Sequence, residues 1–498
     1  MRAEGSRRPV SVTTRSGEVV GRTSNGVNRF LGVPYAAPPF GPNRFRPAQP
    51  HDRWDRAHDA TVMGPTAPQS LYDPRLEQLI PTRIIPGDEI LNLNIWAPST
   101  APPGGAPVLL WIHGGSLTHG SNALEMYDGT RFARSGVVFV AINYRLGIEG
   151  FSVLDDALTN LGLMDQAAAL TWIVEEISSF GGDPTQITVM GQSAGGAAVA
   201  ALVSSPETRG LMRRAIIQSG PLVAMPTESV RETTDLIAHK IGIMPTREAF
   251  SRISPNALLA AQTRVVGDES PMTGGPSFQI ALDGRMVPEI PWEAVRGGVA
   301  DGIDLLIGVT TDERRLWISP GDPLVTMNKR QLGEASTALG LSPELITAYQ
   351  VSFPESEPGE ILGGVLADLS LRGPMIDLAE ARARRGSLTY VYEFAWPSPV
   401  MELGAAHSVD LPFVFHTLDQ GRTLVGDSAP SHLATVMNDE WVEFAKVGSV
   451  SWSSWQQARS IKTFDGGTNS VVDDPQPDRY RELAVATERR RRTLTSAS

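Results

Sequence analysis

ITVMGQSAGGAAVAALV, residues 187–203, is the stretch whose reading decides the fold. The apolar, β-branched run ending at Met190 reads as a buried strand, and the small residues from Ala194 to Ala201 read as a helix able to pack tightly on a sheet. Between them stands Gly191-Gln192-Ser193-Ala194-Gly195. Glycine on both sides of a serine at a strand-to-helix junction predicts a sharp, strained turn, because side chains at the flanking positions would collide as the serine is pushed outward. Ser193 is therefore a candidate nucleophile. The bare pattern is weak by itself; the strand before it and the small-residue helix after it give it weight.

Outward from that turn, short apolar runs of the same kind recur at 108–113 (VLLWIH), 137–144 (VVFVAINY), 215–220 (AIIQSG), 305–309 (LLIGV) and 388–394 (LTYVYEF). Between several of them lie helical patterns. GLMDQAAALTWIVEEISSF, 162–180, places Leu163, Ala167, Leu170, Ile173, Val174 and Ile177 on one face. Strand and helix in alternation predict an α/β protein with a mostly parallel central sheet covered by helices on both faces. The segments around Arg22 to Pro34 and Leu91 to Ile95 read as antiparallel strands feeding that sheet. Residues from about 221 to 300 and from about 312 to 387 read as helical insertions roofing its C-terminal edge. No Gly/Ser linker divides the chain, so residues 1–498 are expected to form one domain.

A serine hydroxyl needs a base within hydrogen-bond reach, and a carboxylate to orient that base. In α/β-hydrolases the chain order is Ser, acid, His. This leaves four of the eight histidines. His239 lies in a helical run, His432 follows SAPS at a helix start, and His416 follows the apolar PFVF. His407, in GAAHSVDLPFVF after a strand, is the loop histidine that the mechanism asks for. The acid is expected after LLIGV, where Asp312 and Glu313 both qualify and spacing does not choose between them. Backbone donors for an oxyanion would come from Ala194 and from the turn His113-Gly114-Gly115-Ser116 after VLLWI. Together these features predict the α/β-hydrolase fold.

Composition narrows the partners. With 43 Lys and Arg against 55 Asp and Glu, the net charge is -12, which disfavours nucleic acid and anionic membranes as partners. The basic cluster Arg489 to Arg492 reads as a solvated last helical turn. No cysteine is present, which removes disulfides, thiolate metal sites and a cysteine nucleophile. No cluster has metal spacing and no glycine-rich loop has a nucleotide pattern, so neither metal nor cofactor is expected. Neither a signal peptide nor an 18-residue apolar run is visible, so a cytoplasmic location is expected. No pattern specifies an oligomeric state.

The chain resembles the type B carboxylesterase and cholinesterase family from about residue 17 to about 445. The motifs are FLGVPYAAPP (30–39), NRF (43–45), LNLNIWAP (91–98), WIHGGS (111–116), NYRLGIEGF (143–151), NLGLMDQ (160–166), FGGDPTQITVMGQSAGG (180–196), QSG (218–220) and AHSVDLPFVF (406–415). The resemblance implies that Glu313 is the acid and His407 the base, and that Gly115, Ser116 and Ala194 give the oxyanion donors. It implies a bacterial branch similar to para-nitrobenzyl esterases, a small ester and water as reactants, and substrate contacts near Gln192 and Leu117. Four positions depart from the family pattern. Ser116 replaces the third glycine of the turn, and Gln192 replaces a glutamate, which argues against a strong preference for quaternary ammonium esters. Arg314 replaces a glycine after the acid, and Ile90 a disulfide cysteine, leaving the nearby loop to be held by packing. Amidase, lactonase or acyltransferase chemistry would use the same residues, and neuroligin-type relatives keep the fold as interaction proteins without the chemistry. Arg145, Asp165, Glu176 and Asp183 read as buried ion pairs and turn caps. Ser219 reads equally as a hydroxyl near the triad or as an ordinary buried turn residue.

Overall fold

A computed structural model describes residues 8–267, 275–318, 322–473 and 477–496. Among these described residues the centre is a thirteen-stranded sheet. The strands of its main path are β1 (Arg8–Thr14), β2 (Gly17–Ser24), β3 (Val27–Pro34), β4 (Asn92–Pro98), β5 (Ala106–Ile112), β6 (Val138–Ile142), β7 (Gly182–Gln192), β8 (Arg214–Gln218), β9 (Asp304–Thr310), β10 (Thr389–Phe394), β11 (Ser460–Phe464) and β12 (Val471–Asp473). They lie in the order β1-β2-β3-β4-β6-β5-β7-β8-β9-β10-β11-β12, and the two-residue strand His58–Asp59 pairs beside β2. From β6 through β11 every neighbour is parallel. The edges are antiparallel, β1 to β4 with β6 on one side and β12 on the other.

Burial explains why the central strands are nearly continuous apolar runs. Along β5, Val108, Leu110 and Ile112 join one core cluster, and Leu109 and Trp111 join another on the opposite face. The first cluster holds Leu163, Leu170 and Ile173 of helix α1 (Leu161–Glu176) and Ala198, Val199 and Leu202 of helix α2 (Ala194–Ser204). The second holds Met437, Trp441 and Phe444 of helix α3 (Ser431–Val447). The sheet is thus covered on both sides, as the alternation of strand and helix predicts. Both expected insertions are helical, with helices at Thr227–Ile241 and Pro255–Val266 in the first and at Lys329–Ala338, Pro343–Ser352, Pro358–Ser370 and Arg372–Arg384 in the second.

The expected scaffolding residues are in place. Arg145 and Asp165 form a fully buried ion pair at 2.6 Å, and the Arg145 backbone N–H donates to the same carboxylate. Glu176 accepts the N–H of Arg15, and Asp183 accepts the N–H and hydroxyl of Thr185. Ile90, standing at the family's cysteine position, is fully buried in the core. One expectation needs correcting. Arg490 and Arg491 are not merely solvated, because they tie the C-terminal helix α4 (Pro477–Ser496) to the insertions. Arg490 donates to the Leu369 carbonyl at 2.9 Å, and Arg491 pairs with Glu293 at 2.7 Å. Strands β11 and β12 also escape the sequence reading. Their runs are short, and β12 is exposed throughout, so neither carries the apolar signal of the centre. Among the described residues, no helix is long and apolar enough to cross a membrane.

The Arg145–Asp165 pair gives a measurable expectation. Arg145→Met strands a carboxylate in the core and is expected to lower the unfolding free energy by about 3–5 kcal/mol, while Arg145→Met with Asp165→Leu recovers most of that loss. Urea unfolding of the two variants beside the parent checks this; equal losses in both would refute it.

Candidate active site

The turn after β7 is built from close backbone contacts. Ser193 has φ 57° and ψ -125°, a conformation that costs a non-glycine residue on the order of 1–3 kcal/mol. Its N–H donates to the Gln218 carbonyl at 2.9 Å, which pins the turn to the end of β8. A methyl group on Gly191 would sit 2.3 Å from the Gly195 carbonyl oxygen, and one on Gly195 would sit 2.1 Å from that of Ile112. Only glycine fits at either position. The half-buried Ser193 therefore stands at the N-terminus of α2 with little freedom to turn away.

The glycine turn after β5 faces the elbow. A methyl group on Gly114 would lie 3.0 Å from Ser193 Cβ. Gly115, Ser116 and Leu117 all have positive φ, at 113°, 53° and 62°, and the Gly115 carbonyl is occupied by the N–H groups of Thr118 and His119. Ala194 is the first residue of α2, so its N–H has no acceptor within the helix. Leu117 is buried in the core, its carbonyl taken by Gly147.

His407 arrives on the loop after β10 and is buried. Its Nδ1 bonds to Glu313 Oε2 at 2.5 Å, while Glu313 Oε1 accepts the Thr310 N–H at 2.8 Å. The structure thus separates the two acids that spacing leaves equivalent. Asp312 accepts the Ala405 N–H at 2.9 Å and so anchors the loop that carries the histidine. The other three candidates are elsewhere. His239 is exposed on the helix Thr227–Ile241, His416 bonds to Thr435, and His432 bonds to the Gly466 carbonyl.

Ser193 and His407 do not bond to each other. His407 Nε2 instead meets Gln192 Nε2 at 2.9 Å, and the same amide nitrogen bonds to Ser408 Oγ at 3.0 Å. Gln192, taken from the sequence as a substrate contact, therefore touches the histidine directly. Three further neighbours take no role from the sequence, although Gln218 and Asp410 lie in its motifs. Trp317 packs on the His407 ring with centroids 4.8 Å apart. Gln218 bonds through its side chain to Asp410 at 2.9 Å, and Asp410 is fully buried. Ser219 has φ 47°, and its buried hydroxyl has no hydrogen-bond partner among the described residues. Arg314 lies against Gly363 of the second insertion.

A cavity of about 30 Å³ lies beside the glycine turn, lined by Gly115, Gln192 and Ser408 and by apolar side chains including Tyr72, Leu124 and Met126. Among the described residues, no carboxylate lines it. The roomier concavities on the surface contain none of the residues above. His113 and His119 flank the turn, and burial pushes both imidazoles down to about 4, which leaves them neutral. No group of three or more potential metal ligands occurs among the described residues.

Comparisons with known proteins agree on one family. The model of the "Carboxylesterase family" matches residues 8–476. The chain is 34% identical to the para-nitrobenzyl esterase of Bacillus subtilis (strain 168) over 490 residues, covering 95% of this chain and 98% of that protein. It is 33% identical to the phenmedipham hydrolase of Pseudarthrobacter oxydans over 498 residues, covering 96% and 97%. The crystal structure of a Geobacillus stearothermophilus carboxylesterase superposes with a TM-score of 0.83 at 34% identity, covering 95% of this chain and 99% of that one.

Asp410 is a second buried carboxyl near the histidine. Burial pushes its carboxyl up to about 6; the Gln218 hydrogen bond opposes this, the Glu313 charge adds to it, and the facing His407 lowers it. An acid whose folded value lies above its unfolded value of about 3.9 binds its proton more tightly when folded. Its contribution to stability is therefore greatest at low pH and is lost as pH rises through about 6. Asp410→Asn is expected to raise stability at pH 8 by roughly 1–3 kcal/mol and to flatten the pH dependence between about 4 and 6. Thermal unfolding of both proteins from pH 4 to 8 measures it; an unchanged pH slope would count against the buried charge.

Proposed function

Because the chain belongs to the carboxylesterase family and is a carboxylic-ester hydrolase, we propose that it acts through an acyl-enzyme on Ser193, with His407 as general base and Glu313 as the group that orients it. The observation carrying this reading is the hydrogen bond from His407 Nδ1 to Glu313, in a ring whose other nitrogen reaches Gln192, the residue beside the serine. With Nδ1–H given to a carboxylate, Nε2 keeps the lone pair needed to take the serine proton. The serine oxygen then attacks the ester carbonyl. The oxyanion rests on the N–H groups of Gly115, Ser116 and Ala194, which belong to the two turns packed face to face at the elbow. His407 returns its proton to the departing alcohol, and water releases the acid by the same steps in reverse.

The substrate reading follows the cavity. Its lining is mostly apolar and, among the described residues, carries no carboxylate, so a neutral ester fits better than a cationic one. In this reading Gln192 borders the substrate directly, and Leu117, which packs in the core after the glycine turn, supports that turn from behind. A bacterial cytoplasmic location belongs to the same proposal and rests on the cysteine-free chain and its likeness to bacterial esterases.

Hydrolysis of para-nitrophenyl esters from acetate to decanoate tests the reading. Ser193→Ala and His407→Ala are expected to lower kcat by roughly 10⁴-fold or more, and Glu313→Gln by on the order of 10⁴. Ser193→Ala retaining wild-type turnover would overturn the assignment. Asp410→Asn is expected to cost about five- to thirtyfold in kcat/KM at pH 8, since its carboxylate favours the imidazolium that forms during attack. Choline esters are expected to turn over more slowly than neutral esters of matched size, and equal rates would remove the argument from the uncharged cavity.

A further inference from the structure

We propose that Gln192 is a positioning residue that caps the catalytic base in the resting site, so that Ser193 is activated only when the Gln192 side-chain amide leaves His407 Nε2. This inference rests on the proposed triad and adds a step before its chemistry.

The hydrogen bonds fix the roles of the atoms. Glu313 is acceptor-only when ionised, so the proton of the neutral ring sits on Nδ1, and Nε2 is left as an acceptor. The group facing that lone pair is the Gln192 amide nitrogen at 2.9 Å. It must be the nitrogen that faces the ring, since an amide oxygen there would set one lone pair against another. The second N–H of the same amide donates to Ser408 Oγ at 3.0 Å. Both N–H groups are therefore used, one on each of two consecutive residues of the histidine loop. Gln192 and Ser408 are buried, and Ser408 has φ 70°, which turns its side chain into this contact.

The arrangement opposes the first chemical step in two ways. The lone pair that must receive the serine proton is already bonded, and Ser193 Oγ has no hydrogen bond of its own among the described residues. Once His407 takes that proton, Nε2–H and the amide N–H would be donors facing each other. The proton itself passes only from Ser193 Oγ to His407 Nε2, and Gln192 neither gives nor receives one. What Gln192 must do is withdraw. The cavity beside it, lined by Gln192, Ser408 and Gly115, gives the side chain a place to go and lets an entering ester compete for the same space.

The test uses the full chain and diisopropyl fluorophosphate, a small neutral reagent that reports on the reactivity of the serine. Gln192→Met keeps the length of the side chain and removes both donors. Its phosphorylation rate constant at pH 8 is expected to rise by on the order of five- to tenfold, the value of one hydrogen bond released. Ser408→Ala loosens the second anchor of the amide and is expected to give a smaller rise in the same direction. In protein labelled with ¹⁵N-histidine, the His407 Nε2 resonance is expected to move toward that of an unbonded acceptor in Gln192→Met, which a merely structural role would not produce. A Gln192→Met rate at or below wild type with an unmoved resonance overturns the cap. Should that variant not fold, a Ser408→Ala rate at or below wild type overturns it instead. Ser193→Ala is run in parallel. Phosphorylation persisting there would bring down the underlying triad, whereas loss of labelling there combined with no acceleration in the Gln192 variant brings down the cap alone.

Discussion

The constraint on which the rest depends is how closely backbone meets backbone at the elbow. Gly191 faces the Gly195 carbonyl, Gly195 faces that of Ile112, and Gly196 faces Gly220, all at distances where a methyl group would lie under 3 Å from its neighbour. Such contacts let α2 lie directly on β7 and bring the turn after β5 against Ser193. They also remove the freedom the serine would need to relax from its strained dihedrals. The strain is held by the surrounding sheet. Strands β5 and β8 flank β7 in parallel register, and the Gln218 carbonyl at the end of β8 takes the serine N–H.

Charge is handled differently around the site than within it. Away from the serine, three buried arginines are matched by carboxylates. Arg145 pairs with Asp165, Arg44 with Glu149, and Arg372 with Asp368 and Glu393. These pairs tie loops and insertions to the sheet, where an unmatched partner would be costly. Beside His407 the pattern is reversed, with two buried carboxyls, Glu313 and Asp410, behind one imidazole. That is an expensive arrangement for stability and a useful one for a ring that becomes positive in the proposed mechanism. Gln192 leaves the serine side of the ring without a third carboxylate.

Much of this was legible in the sequence because the signals are local. The elbow announces itself through glycine spacing between an apolar strand and a small-residue helix, and the central strands through apolar runs that only double burial explains. The choice of His407 follows from its loop context. Spacing does not choose between Asp312 and Glu313, because both leave β9 together and both meet the histidine loop, Asp312 at its backbone and Glu313 at the ring. Trp317, Asp410 and the Gln192 contact were invisible for the same reason. Each is defined by a neighbour from another part of the chain, and no period or motif encodes that meeting. The arginines of α4 illustrate the converse error, since a charged run looks solvated until a partner such as Glu293 comes across from an insertion.

The strand order also has a consequence in time. The glycine turn and the serine, acid and base of the proposed triad leave β5, β7, β9 and β10 in turn, and the contact between Gln192 and His407 joins residues 215 apart. At a synthesis rate of about 5–20 residues per second, the serine emerges some ten to forty seconds before its base exists. On the proposed triad, a chain ending before His407 lacks its base and is expected to have no esterase activity. With the triad proposed above, activity requires the ends of β5, β7, β9 and β10 to meet, so that an esterase assay would report the assembly of that part of the sheet.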